Sequence, residues 1–127
     1  SADYQKGLDA YDAGDYATAL REWKPLADEG NAGAQNNLGL MYQLGEGVPQ
    51  DFLEAVKWFR LAADQGDGRA QYNLGLIYEN GGGVPVDDVE AVKWYRLAAD
   101  QGNADAKKNK EFLENNMTKR QYYNCSE

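Results

Sequence analysis

The sequence predicts an all-α protein, a right-handed α/α solenoid of antiparallel helix pairs. Three observations predict it. Residues 31–66 recur at 67–102 with a shift of 36 residues and about two-thirds of the positions identical, and a fixed period in this range marks stacked helical units. Within each period, apolar residues fall at helical spacing. Each such stretch is bounded by Gly, Pro, Asp or Asn where helices start and stop. A stack of this kind builds an extended concave surface rather than an enclosed pocket. A binding scaffold is therefore the first expectation.

One domain over 1–127 is expected, divided into units 1–30, 31–66 and 67–102 with a capping helix and tail at 103–127. In the first unit, Tyr4 to Tyr11 forms one helix, and Ala19, Leu20, Trp23, Leu26 and Ala27 mark a second that ends at Gly30. The step from Gly7 to Gly39 is 32 residues, so the loop of this unit is about four residues shorter than the later ones. Pro25 lacks an amide hydrogen and should kink the second helix or end its first segment.

In the second unit, Ala34, Leu38, Met41 and Tyr42 share a helical face. Gly45 to Pro49 break the helix and Asp51 restarts it. Asp51 with Glu54 has the spacing of a capping box. Ala55, Trp58, Phe59, Ala62 and Ala63 form the next buried stripe, and Gly66 stops it. The third unit repeats each device: Leu74, Gly75 and Tyr78, the loop Gly81 to Pro85, the pair Asp87 and Glu90, then Trp94, Tyr95 and the stop at Gly102. Gly39 and Gly75 lie mid-helix, where Gly costs about 1 kcal/mol relative to Ala. Close helix–helix approach would offset that cost, with Trp58 and Trp94 or their neighbours filling the space. Residues 103–116 begin like another first helix, but Lys110, Glu111 and Glu114 replace its Leu, Gly and Tyr. That is the polar face of a terminal cap, followed by a short helix or frayed tail at 117–127.

Composition excludes several function classes. The chain has 127 residues, 43% hydrophobic, with a net charge of −8. Such acidity disfavours nucleic acid, whose binding depends on Lys and Arg displacing counterions, and it disfavours anionic membrane surfaces. No stretch is apolar enough to insert in a membrane. Histidine is absent, which removes the commonest general base and zinc ligand. The only serines are Ser1 and Ser126, and the glycine-rich loops lack the Gly-Lys-Ser/Thr ending of a phosphate loop. No catalytic residue, cofactor or metal is expected. Lys57, Arg60, Lys93 and Arg96 lie three or four residues from carboxylates and read as solvated helix pairs. Cys125 is the single cysteine, so no intramolecular disulfide forms. The expected state is a monomer, with a dimer through Cys125 or the C-terminal tail as the alternative. The start at Ser1 without Met fits a periplasmic or secreted protein after signal-peptide removal, with a trimmed cytoplasmic chain as the alternative.

The residues Ala34–Gly66 and Ala70–Gly102 resemble the Sel-one-like repeat family, a relative of the tetratricopeptide repeats. The pattern covers A-x-Q-x-x-L-G-x-x-Y, the G-x-G-V loop, and the later A-x-x-W-x-x-x-A-A-x-x-G. The first unit, with Gly7, Tyr11, Gly14-Asp15-Tyr16 and Ala19-Leu20, is similar to an ordinary tetratricopeptide unit. Asn109 and Met117-Thr118 are similar to the ending of exported bacterial members. The resemblance implies a solenoid whose concave face binds a protein or peptide, as adaptors do. A cysteine-rich branch of the family carries a disulfide in each repeat; those cysteines are missing here, so its properties are not carried over.

The resemblance places the groove positions at Tyr4, Leu8 and Tyr11, then Asn36, Leu40 and Gln43, then Tyr72, Leu76 and Glu79. The capping helix offers Lys108, Phe112 and Asn115. Leu8, Leu40, Leu76 and Phe112 share one register, which suits apolar anchors flanked by amides and tyrosines. The alternative is that these leucines pack between repeats. Function then divides into capture of a protein or peptide segment in the groove, or a structural, assembly or inhibitory module working through its convex face or end caps.

Overall fold

A computed structural model describes residues 1–117, and the expectations for Cys125, Thr118 and the rest of the tail lie outside it. The described residues form seven helices and no strand: α1 (Tyr4–Asp12), α2 (Tyr16–Asp28), α3 (Ala32–Leu44), α4 (Phe52–Asp64), α5 (Gly68–Asn80), α6 (Asp88–Asp100) and α7 (Ala104–Asn116). The all-α repeat fold is the one the period predicts.

Every helix begins with an Asp or Asn cap, namely Asp3, Asp15, Asn31, Asp51, Asp67, Asp87 and Asn103. Each accepts a hydrogen bond from an amide of the first turn, which otherwise lacks an intrahelical partner. The expected capping boxes form only by half. Asp51 Oδ1 accepts from the Glu54 amide at 3.1 Å and Asp87 Oδ1 from the Glu90 amide at 3.0 Å. The return bond is missing because the Asp51 and Asp87 amides donate instead to the carbonyls of Tyr42 and Tyr78, at 2.9 and 2.8 Å. Those bonds fasten the end of each loop to the helix before it. Gly45 and Gly81 close α3 and α5 in the left-handed conformation, with φ of 69° and 79°, which only Gly adopts without strain. The α1–α2 connection, residues 13–15, is four residues shorter than the α3–α4 connection, residues 45–51, as the 32-residue step implies. Pro25 does not end a segment; α2 runs through it to Asp28.

The chain divides into two compact units, Ser1–Gln65 and Gly66–Glu127. In the first, Ala19, Trp23, Ala27, Ala34, Leu38, Met41 and Trp58 make one buried cluster. In the second, Ala91, Val92, Tyr95, Ala98, Ala106 and Leu113 make another. Both use the same interlock of a glycine against an aromatic ring. A Cβ on Gly39 would stand 2.6 Å from the Phe59 ring, and one on Gly75 would stand 2.4 Å from the Tyr95 ring. Gly7 gives the same access to Trp23, at 2.2 Å. The filler is thus the neighbour of Trp58 and of Trp94, because the phase of α4 and α6 turns Phe59 and Tyr95 onto the glycines.

Candidate functional site

In the first unit, α1 and α3 bring three of the expected groove residues around one cleft. Leu8, Tyr11 and Leu40 line it together with Asp12, Trp23 and Asn37, and its volume is about 190 Å³. Leu8, Tyr11 and Asp12 sit three and four positions apart on α1, so one helical face carries them all. Asn37 and Leu40 have the same relation on α3. Aromatic rings hold the cleft's floor. Trp23 is buried, packs 5.7 Å from Tyr11 and 6.2 Å from Tyr4, and donates from Nε1 to the Tyr4 carbonyl at 3.1 Å. Asn37 Nδ2 donates to the Tyr4 hydroxyl at 3.1 Å, which ties α3 to α1.

Tyr11 is fixed from the opposite side. Its hydroxyl donates to Glu46 Oε1 at 2.5 Å, and Tyr16 leans on its ring at 5.2 Å. Burial, then the hydrogen bond and the charge of Glu46, push the Tyr11 hydroxyl up to about 12. It therefore stays a neutral donor at physiological pH. Among the described residues no three His, Cys, Asp or Glu side chains converge as a metal site.

The remaining positions are placed as follows. Tyr4, Leu8, Tyr11, Leu40 and Gln43 are half-buried, whereas Asn36 is only 2% exposed and offers no open surface. In the second unit, Tyr72, Leu76 and Glu79 are half-buried along α5. Tyr72 packs 5.9 Å from Tyr95, and Glu79 accepts the Tyr95 hydroxyl at 2.6 Å. Burial and Glu79 together raise the Tyr95 hydroxyl well above its ordinary range. Lys108, Phe112 and Asn115 are exposed on α7, and Phe112 leaves 62% of its surface open. Of the expected helix ion pairs, Lys57 meets Glu54 at 3.9 Å with 65% of the lysine side chain exposed, so it contributes little.

Sequence reasoning missed Asp12, Trp23 and Asn37 as cleft residues. A signal was present for two of them. Asp12 lies one turn after Leu8, and an Asn recurs at 37, 73 and 109 with the 36-residue period.

Comparison with known proteins fits this architecture. The Sel1 repeat family matches residues 32–67 and 68–103, more than half of the chain, and the chain belongs to that family. The crystal structure of a Sel1 repeat protein from Oxalobacter formigenes superposes with a TM-score of 0.84 at 39% identity, over 88% of this chain and 46% of that one. A protective antigen present in uropathogenic Escherichia coli strains, displaying an SLR fold, superposes with a TM-score of 0.82 at 42% identity, over 87% of this chain and 25% of that one. The chain thus spans about half the length of the first and a quarter of the second. No curated protein matches it significantly. Sel1 repeat proteins are typically non-enzymatic scaffolds for protein interaction.

Proposed function

We propose that this chain is an adaptor that captures a protein or peptide segment on the exposed faces of its first helices. The observation that carries the reading is the cleft of the first unit. Apolar Leu8 and Leu40 flank Tyr11 there, and the cleft is large enough for a partner's side chain. Half-buried leucines beside amides and tyrosines suit a segment anchored by apolar contacts and oriented by hydrogen bonds. Leu76 and Tyr72 are half-buried on α5 at the matching positions.

Affinity capture from extracts of the source organism tests this, with the Leu40→Glu/Leu76→Glu double variant as matched bait and circular dichroism as the folding control. The expected result is a partner retained by the wild type and lost by a folded variant. A partner held equally by both would refute the first-helix surface. Contact would then pass to the second helices or the ends of the chain, as in an assembly module.

A further inference from the structure

The cleft of the first unit carries a chemical preference, which rests on the adaptor reading. We infer that it takes one aliphatic side chain of a partner segment whose neighbouring residue is Lys or Arg.

The aliphatic half follows from the walls and the size. Leu8, Leu40 and the rings of Tyr11 and Trp23 give apolar sides. A volume of about 190 Å³ corresponds to roughly six waters at about 30 Å³ each, space for a Leu, Ile or Met side chain. Seating one there removes apolar surface from water on both partners.

The cationic half follows from how charge is sorted. Residues 1–65 carry eleven carboxylates against five cationic side chains. On α2 and α4 the signs balance, with Glu22, Asp28, Glu54 and Asp64 against four cations. Everywhere else in the unit, seven carboxylates stand against Lys6 alone, and α3 has no charge at all. Of those seven, Asp9 and Asp12 lie on α1 against Lys6, and Glu46 is hydrogen-bonded to Tyr11 of the cleft, so the charge nearest the cleft is net negative, which attracts cations and repels acidic segments. Asp12 brings that charge to the rim. It lines the cleft, is exposed, caps no helix, and forms no ion pair or hydrogen bond among the described residues.

Asn37 supplies an independent observation. It is 8% exposed and lines the same cleft. Its Nδ2 is used on Tyr4, while its Oδ1 accepts nothing among the described residues. This oxygen is not sealed from solvent, so a peptide amide entering beside the anchored side chain can donate to it. Apolar walls, a solvent-reachable acceptor and an unpaired carboxylate at the rim thus match three parts of one ligand: side chain, backbone amide and adjacent cation.

Methyl-labelled protein titrated with heptapeptides in a Gly-Ser background tests the preference by NMR. The central residue is Leu or Ala, flanked by Lys, Ser or Glu. The expected result is a saturable shift of the Leu8 and Leu40 methyls by the Lys-flanked Leu peptide. The Ala-centred and Glu-flanked peptides should bind about tenfold more weakly or worse. Asp12→Asn, at an exposed site that leaves the fold intact, should weaken the Lys-flanked peptide about two- to fivefold and leave the Ser-flanked one unchanged. Equal binding of all three Leu peptides would overturn the cationic preference while leaving the adaptor reading in place. Equal binding of Leu- and Ala-centred Lys peptides would reveal diffuse attraction by an acidic protein and overturn the cleft. Methyls unmoved by any peptide would overturn the inference outright, and the adaptor reading would be decided by the capture experiment.

Discussion

Tyr11 and Glu46 show how one residue pair sets both geometry and pH response. The Tyr11 hydroxyl donates to a carboxylate 35 positions away, so the loop after α3 is held to α1. Deprotonating Tyr11 would place two negative oxygens in contact, which is why burial and Glu46 raise it from 10.0 to about 12. The folded chain thus keeps a proton that the unfolded chain releases near pH 10. The stabilisation is complete below about pH 10 and is lost as pH rises through about 12. Tyr95 and Glu79 act in the same direction. Urea midpoints should stay level from about pH 8 to about pH 9.5 and fall steeply between about pH 10 and about pH 12. Tyr11→Phe should cost about 1 kcal/mol at about pH 8 and make the alkaline fall shallower. An unchanged slope in that variant would show that Tyr11 does not carry the effect. None of this was legible in the sequence, because a pairing across 35 residues leaves no local pattern. Asp12 and Asn37 escaped for a related reason. Helical phase places each on a face, but only the packed helices show which faces meet around the cleft.

At the scale of the element, most of the structure was legible. Each helix begins just after an Asp or Asn, and α3 and α5 stop at a glycine with positive φ; these are local signals with local causes. The ring that meets each mid-helix glycine was narrower than local signals could settle, since Trp58 and Phe59 are adjacent. The packed helices assign Phe59 to Gly39 and Tyr95 to Gly75. Magnitudes then decide the effect of adding a methyl group. Gly→Ala favours the helix by about 1 kcal/mol, but a Cβ 2.4–2.6 Å from a ring forces the ring to move, and overpacking costs about 1–3 kcal/mol. Gly75→Ala should be the more harmful, because the Tyr95 hydroxyl is also held by Glu79 and the ring cannot slide freely. Phe59 has no such tether. The expected order of urea midpoints is wild type, Gly39→Ala, then Gly75→Ala. Adding Phe59→Leu to Gly39→Ala should recover part of the loss, a coupling that a double-mutant cycle measures. Additive losses would mean that the ring and the glycine do not interlock.

For the whole molecule, the 36-residue period makes a stronger claim than any single contact: one period should be removable. The reason lies in the faces that would meet. Helix α7 packs on α6 through Ala106 and Leu113, in a cluster with Ala91, Val92, Tyr95 and Ala98. Helix α4 presents Ala55, Val56, Phe59 and Ala62 at the same four positions and also ends in Leu-Ala-Ala-Asp-Gln-Gly. Deleting residues 67–102 joins Gly66 to Asn103, so the glycine stop and the Asn cap of α7 both survive at the junction. The change on the receiving face is Tyr95 to Phe59. It removes a hydroxyl that interacts electrostatically with the Asn109 side chain, which should cost about 1 kcal/mol. Stability in repeat arrays is close to a sum of unit and neighbour terms, so the 91-residue chain should still unfold cooperatively, at a lower urea midpoint than the parent. Circular dichroism gives the transition, and amide exchange at Leu113 reports whether α7 is docked. A cooperative transition with Leu113 protected would mean that α4 and α6 are interchangeable platforms. A broad transition with Leu113 unprotected would mean that α7 requires Tyr95 itself, and that the terminal cap is specific to the last repeat.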